Sequence, residues 1–262
     1  MKSQSFAAAT LITLSALGSA YAADLPVPAP AYAPPPAPVY NWTGCYVGGG
    51  GGYAFWQQDS FLTIGGVPAT ASQSNGGKGW FGQGQVGCDY QFTASYFGVQ
   101  TVIGAFSDIA GGSINGSSSF PGFTGSERES STWAVGGRAG VLVTPRFLTY
   151  FDGGFTQARF DGVNYNIAVP GGGPSGLSLA AQTYNGWFIG SGFEYAFTWL
   201  PINGLFLKTE FRYSQYGGNN GVSVPLTGSV GGIPVTGAAL NSQKATEFVS
   251  TELVYRFNWF GR

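Results

Sequence analysis

Two sets of side chains in this sequence could do chemistry: charges that recur at alternate positions, and a pair of cysteines. Lys208, Glu210 and Arg212 follow one another at a spacing of two, and Glu252 and Arg256 repeat the theme near the end of the chain. Asp89, Arg138, Asp152 and Glu194 sit at equivalent places in other alternating runs. Spacing by two puts side chains on one face of an extended strand, so these charges are expected to point into a common interior. Five acids (Asp89, Asp152, Glu194, Glu210, Glu252) meet four bases (Arg138, Lys208, Arg212, Arg256), a near balance. Such a set can form a plug of buried ion pairs or line a narrow ion path. The tight turn at Pro145 sets Arg138 roughly opposite Asp152, a suitable bidentate pair. The sequence contains no histidine, which removes the usual general base and the usual haem or metal imidazole. No catalytic, cofactor-binding or metal-binding residue is therefore expected, and a net charge of −1 leaves no basic patch for nucleic acid.

The elements that must hold these charges are strands. In the terminal run Gln243–Phe257, Val249, Thr251, Leu253, Tyr255 and Phe257 share one face, while Phe248, Ser250, Glu252, Val254 and Arg256 share the other. A strand with one greasy and one charged face borders two media, lipid outside and a packed polar lumen inside. Seven earlier runs repeat the pattern: Trp42–Phe55, Gly79–Phe92, Tyr96–Phe106, Ser131–Val143, Phe147–Phe160, Tyr184–Phe197 and Leu205–Tyr216. Each is close to the ~10 residues that cross a bilayer at a tilt. The links Gln91–Ser95, Thr144–Arg146 and Thr198–Gly204 are short. Gln57–Lys78, Ser107–Ser130, Asp161–Thr183 and Gly217–Lys244 are long and rich in Gly, Ser, Asn and Thr. Long outer loops alternating with short periplasmic turns predict an all-β fold, an eight-stranded antiparallel transmembrane up-and-down β-barrel, with both ends in the periplasm. The outer loops read as flexible, with an adhesive surface as the other reading.

Composition agrees. The chain has 44 Gly, 21 Phe, 14 Tyr and 7 Trp with only 9% charged residues, a balance of aromatics that disordered chains lack. Lys2, the apolar stretch Phe6–Leu17 and Ala20-Tyr21-Ala22 read as a cleaved secretory signal over residues 1–22. Residues 23–41 carry Pro26, Pro28, Pro30, Pro34, Pro35, Pro36 and Pro38, an extended periplasmic spacer. Residues 42–262 form the barrel. Cys45 and Cys88 fall on the outward face near the periplasmic ends of adjacent strands. An exported chain meets an oxidising compartment, so they form a disulfide or stand as two apolar thiols.

Several spaced motifs resemble one family. Trp42-Thr43-Gly44-Cys45-Tyr46-Val47-Gly48-Gly49 is similar to the opening strand of the porin-like major outer-membrane proteins of rhizobia and brucellae. Gly186-Trp187-Phe188-Ile189-Gly190-Ser191-Gly192-Phe193-Glu194-Tyr195-Ala196, Leu207-Lys208-Thr209-Glu210-Phe211-Arg212-Tyr213, Ser107-Asp108-Ile109 and the closing Tyr255-Arg256-Phe257 also match it. The resemblance implies an outer-membrane barrel with structural, surface-antigen and porin-like roles and no catalytic residues. Cys45 departs from an aromatic common in the family, and Asn258–Arg262 extend past the terminal aromatic. Tyr255 and Phe257 are the expected insertion signal, with Trp259 and Phe260 as the competing aromatics. The expected function is a non-catalytic envelope protein of the cell outer membrane; a narrow porin and a surface adhesin are the alternatives. Expected partners are outer-membrane lipid and lipopolysaccharide, the insertion machinery, and peptidoglycan as a contact of the linker. No cofactor is expected.

Overall fold

Alternation of side chains governs the backbone from one end to the other. The computed structural model describes residues 41–94, 98–197, 199 and 202–257. The signal-like segment, the proline-rich stretch up to residue 40, and Trp259 and Phe260 lie outside the described residues. Thirteen strands follow in order: β1 Gly44–Ile64, β2 Val67–Pro68, β3 Gln73–Ala94, β4 Val99–Phe120, β5 Phe123–Thr144, β6 Phe147–Phe160, β7 Val163–Ile167, β8 Pro174–Leu179, β9 Gln182–Ala196, β10 Leu205–Tyr216, β11 Val222–Val230, β12 Ile233–Pro234 and β13 Ala238–Phe257.

The long strands pair antiparallel with both neighbours. β1 pairs with β3, β3 with β4, β4 with β5 and β5 with β6. β6 pairs with β9, β9 with β10, and β10 with β13, which pairs back to β1. Pairing on both sides satisfies the backbone donors and acceptors that lipid cannot.

Two sequence expectations need correction. β6 and β10 run as read, but β1, β3, β4, β5 and β13 extend well past the predicted ends. The four long connections are largely strand rather than flexible loop. β5 pairs onward to β7, β7 to β8, β8 to β11 and β11 to β13. Beyond the ends of β6, β9 and β10, this second set of strands continues the wall together with β1, β3 and β4. The cause is apolar alternation inside Gly-rich text. Val163 and Tyr165, Leu177 and Leu179, Val224 and Leu226, and Ala238 and Leu240 point inward and bury one another with Phe120. The β4–β5 hairpin closes on Pro121-Gly122, with Phe120 opposite Phe123 and Gly122 at φ +87°. That is the second central position of a type II turn, which Pro before and Gly within it favour.

The outward face defines an apolar band. On β13, Phe257, Tyr255, Leu253 and Val249 are exposed, and the face turns charged at Glu247. On β3 the band runs from Phe92 and Tyr90 to Trp80 and ends at Lys78; on β1 it ends beyond Phe55 at Gln57 and Asp59. Trp80, Trp133, Trp187 and Phe155 are exposed along the outer rim, and Tyr195, Tyr255 and Phe257 along the inner rim, as interfacial girdles are.

Candidate functional site

Inside the wall, period two delivers charged side chains to three stacked layers. The lowest begins with Asp89 on β3, Arg138 on β5, Glu194 on β9 and Arg256 on β13. Arg138 bonds Asp89 through Nε at 2.9 Å and again through Nη2, and reaches Glu194 through Nη1 at 2.5 Å. Arg256 bonds Asp89 through Nη1 and Glu194 through Nη2, both at 2.5 Å. Each acid thus bridges both guanidiniums, and each guanidinium both acids. All four side chains are at most 2% exposed. The Tyr46 ring lies under both guanidiniums, at 4.7 and 4.9 Å, and Trp42 closes the layer 4.8 Å from Arg256. Gly104 is required here, because a Cβ at that position would occupy the space of the Asp89 carboxylate.

A second layer is built around β10. Lys208 contacts Glu210 at 2.6 Å, Glu252 at 3.1 Å and Gln85 at 2.8 Å. Arg212 bonds Glu210 through Nε at 2.8 Å and meets Asp108 at 2.8 Å, with Phe188 stacked 4.3 Å from its carbon centre. Tyr150 donates to Glu210 at 3.1 Å, and Gln83 to Glu252 at 2.6 Å. One pairing departs from expectation. Arg138 and Asp152 are opposite in register, yet Arg138 binds Asp89 and Glu194, and neither Asp152 oxygen accepts a hydrogen bond. A long guanidinium leans along the strand and reaches two carboxylates on other strands, whereas its register neighbour carries a short side chain.

The third layer was missed by the sequence reading. Lys244 on β13 bonds Gln58 and meets Glu127 at 2.8 Å, with Phe160, Trp56 and Tyr184 rings 4.2, 5.0 and 5.2 Å from its nitrogen. Gln58 passes the chain on to Ser118, and Ser118 to the Tyr165 hydroxyl. Glu129 accepts from Thr132 at 2.8 Å and Thr246 at 3.0 Å. This layer stands beyond Trp133 and Glu247, outside the apolar band. There burial pushes the Lys244 ammonium below its ordinary value, against the pull of Glu127, and pushes the Glu129 carboxyl up. The signal for these residues was present: Asp108 extends the inward series Val102, Gly104, Phe106. Lys244 likewise precedes Thr246 and Phe248 at spacing two. Assigning Glu127 and Glu129 to a loop hid them. Among the described residues the buried charges therefore number eight acids and five bases, not five and four.

Cys45 and Cys88 lie directly opposite one another on β1 and β3 and are joined as a disulfide on the outward face. Tyr255 and Phe257 are exposed at the inner rim, their rings 4.9 Å apart. Among the described residues, no cluster of three His, Cys, Asp or Glu side chains is placed to hold a metal.

The family model for the outer membrane protein beta-barrel domain matches residues 10–258. The 31 kDa outer-membrane immunogenic proteins of Brucella melitensis biotype 1 and Brucella suis biovar 1 are each 33% identical over 224 residues, covering 79% of this chain and 85% of theirs. The crystal structure of the outer membrane protein OprG from Pseudomonas aeruginosa aligns at 11% identity and a TM-score of 0.42, over 83% of this chain and 98% of that one. The matched family model and the shared sequence identity together make this chain a member of the outer-membrane β-barrel family, resident in the outer membrane and related to the outer-membrane immunogenic proteins of Brucella.

Proposed function

We propose that this chain is an eight-stranded antiparallel transmembrane up-and-down β-barrel with a lumen closed by ion pairs, a non-catalytic element of the envelope that carries a folded cap outside the cell. The observation that supports this reading is the continuity of the filling. Three layers of buried charges alternate with aromatic side chains, and every charged side chain in their ion pairs is nearly inaccessible. An eight-stranded barrel is wide enough for side chains to fill and little more. Aromatic and aliphatic layers across the path would also resist wetting. Planar-bilayer recording of the purified, folded protein tests this. The expected result is no steady conductance step in wild type. Steady ohmic openings that disappear in Arg138 or Arg212 variants would instead establish the narrow-pore reading.

The cap favours a second role, contact with another surface. Residues 60–77, 109–126, 162–183 and 217–243 contain no charged side chain, and Ile64, Val67, Val169 and Ile233 are exposed at its tips. Shortening the β1–β3 or β11–β12 tip should then remove cell-surface binding while the barrel still inserts.

A further inference from the structure

The described interior holds more acids than bases. Among the described residues, eight buried acids stand against five buried bases, an excess of three when all are ionised, and an unbalanced charge out of water is strongly disfavoured. Two of the acids, Asp152 and Glu129, make no ion pair among the described residues. Of these two, Glu129 lines a cavity. That cavity, of about 30 Å³, also borders Thr132, Thr156, Ser214, Tyr216 and Thr246. It has room for about one or two water-sized spheres.

The placement of Glu129 follows from a break in the wall. The β5 ladder slips at Ser130, with Glu129 opposite Phe160 but Ser131 opposite Arg159. In a regular strand, residues three apart face opposite sides; the extra residue puts Glu129 and Thr132 on the same side, where they hydrogen-bond at 2.8 Å. On the neighbouring strand, β4–β5 pairing is interrupted between Gly111 and Ile114. Gly111, Gly112, Ser130 and Ser131 line the same cavity. The interruption therefore thins the wall beside Glu129, just beyond the exposed Ile109 and Trp133 of the outer rim.

We propose that Glu129 and the hydroxyls around it bind an alkali-metal cation, which supplies part of the missing positive charge. Asp108 also borders the cavity but is paired with Arg212, so one carboxylate outside any ion pair stands there with several hydroxyl oxygens, a set that suits a monovalent ion. Calcium sites gather more carboxylate ligands. Hydroxyls that donate one hydrogen bond keep lone pairs for a cation. Arg212 borders the cavity too, but Glu210 and Asp108 already neutralise it at 2.7 and 2.8 Å. The proposal extends the closed-lumen reading, because it identifies a counter-charge within that filling.

The test uses the full chain refolded in zwitterionic detergent. Thermal unfolding is followed in sodium, potassium and choline chloride at equal ionic strength. Wild type should melt higher in sodium or potassium than in choline, with a rise that grows with the logarithm of cation concentration. Glu129→Gln should melt at one temperature in all three salts. Thr246→Val, which keeps the carboxylate, should show a reduced response and covers the case in which Glu129→Gln does not fold. Equal melting of wild type in all three salts, or an undiminished response in both variants, would overturn the site. A conducting wild type would overturn the closed lumen without deciding the site, since the melting series is read separately.

Discussion

Replacing Arg138 by Met should destabilise the folded barrel by about 3–5 kcal/mol, the usual loss when one partner of a buried ion pair is left behind. The structure explains why the figure belongs in that range. Arg138 touches both Asp89 and Glu194, and removing it leaves two inaccessible carboxylates facing Arg256 alone. Glu194→Met leaves two guanidiniums facing Asp89 and should lose a similar amount. The double variant restores neutrality, because Arg256 still bonds Asp89 at 2.5 Å. It should therefore lose about as much as either single variant, giving a coupling on the order of 3 kcal/mol, at the top of the range for residues in contact. Urea titration of vesicle-inserted protein, read by unheated gel mobility and tryptophan fluorescence, measures all three. Single losses below about 1 kcal/mol that simply add, as exposed pairs do, would refute the reasoning.

Other outcomes follow from the same geometry. Gly104→Ala should displace the Asp89 carboxylate and lower the urea midpoint, whereas Gly66→Ala, at a turn with open space around it, should act only through its positive φ and lower the midpoint less. Non-reducing peptide mapping should recover Cys45 joined to Cys88. Loss of a cross-link enclosing 43 residues should destabilise by up to about 4 kcal/mol on the chain-entropy estimate, and free thiols at both positions would remove that expectation. Amide hydrogen exchange should find Tyr165, Leu177, Leu226 and Leu240 protected, because their strands bury an apolar interior. Rapid exchange there would mean the cap is loop after all.

Much of the wall was legible because lipid imposes a simple rule. β6 and β10 lie wholly in the register where apolar and charged residues alternate without interruption, so their ends were read correctly. β5 was cut short because the slip at Ser130 reverses which residues face inward, and a strict period of two fails across a bulge. The cap was hidden for a different reason. Its strands are short, face water outside and a small apolar interior inside, and are set among glycines and serines that ordinarily mark loops. Among the charges, residue type and face could be read, but partners could not. Arg138 was matched to Asp152 by register, while side-chain reach across the lumen decided for Asp89 and Glu194. Asp108, Glu127 and Glu129 were lost with the strand extensions that carry them, and Lys244, at the overlap of the terminal run and the long link before it, was left with the link.

The orientation of β10 carries the whole account, and a photoactivated carbene confined to the bilayer core measures it directly. Mass mapping of vesicle-inserted protein should find Leu207, Thr209, Phe211 and Tyr213 modified and Lys208, Glu210 and Arg212 untouched. Modification of the second set would mean the charges face lipid, and the closed lumen would be contradicted.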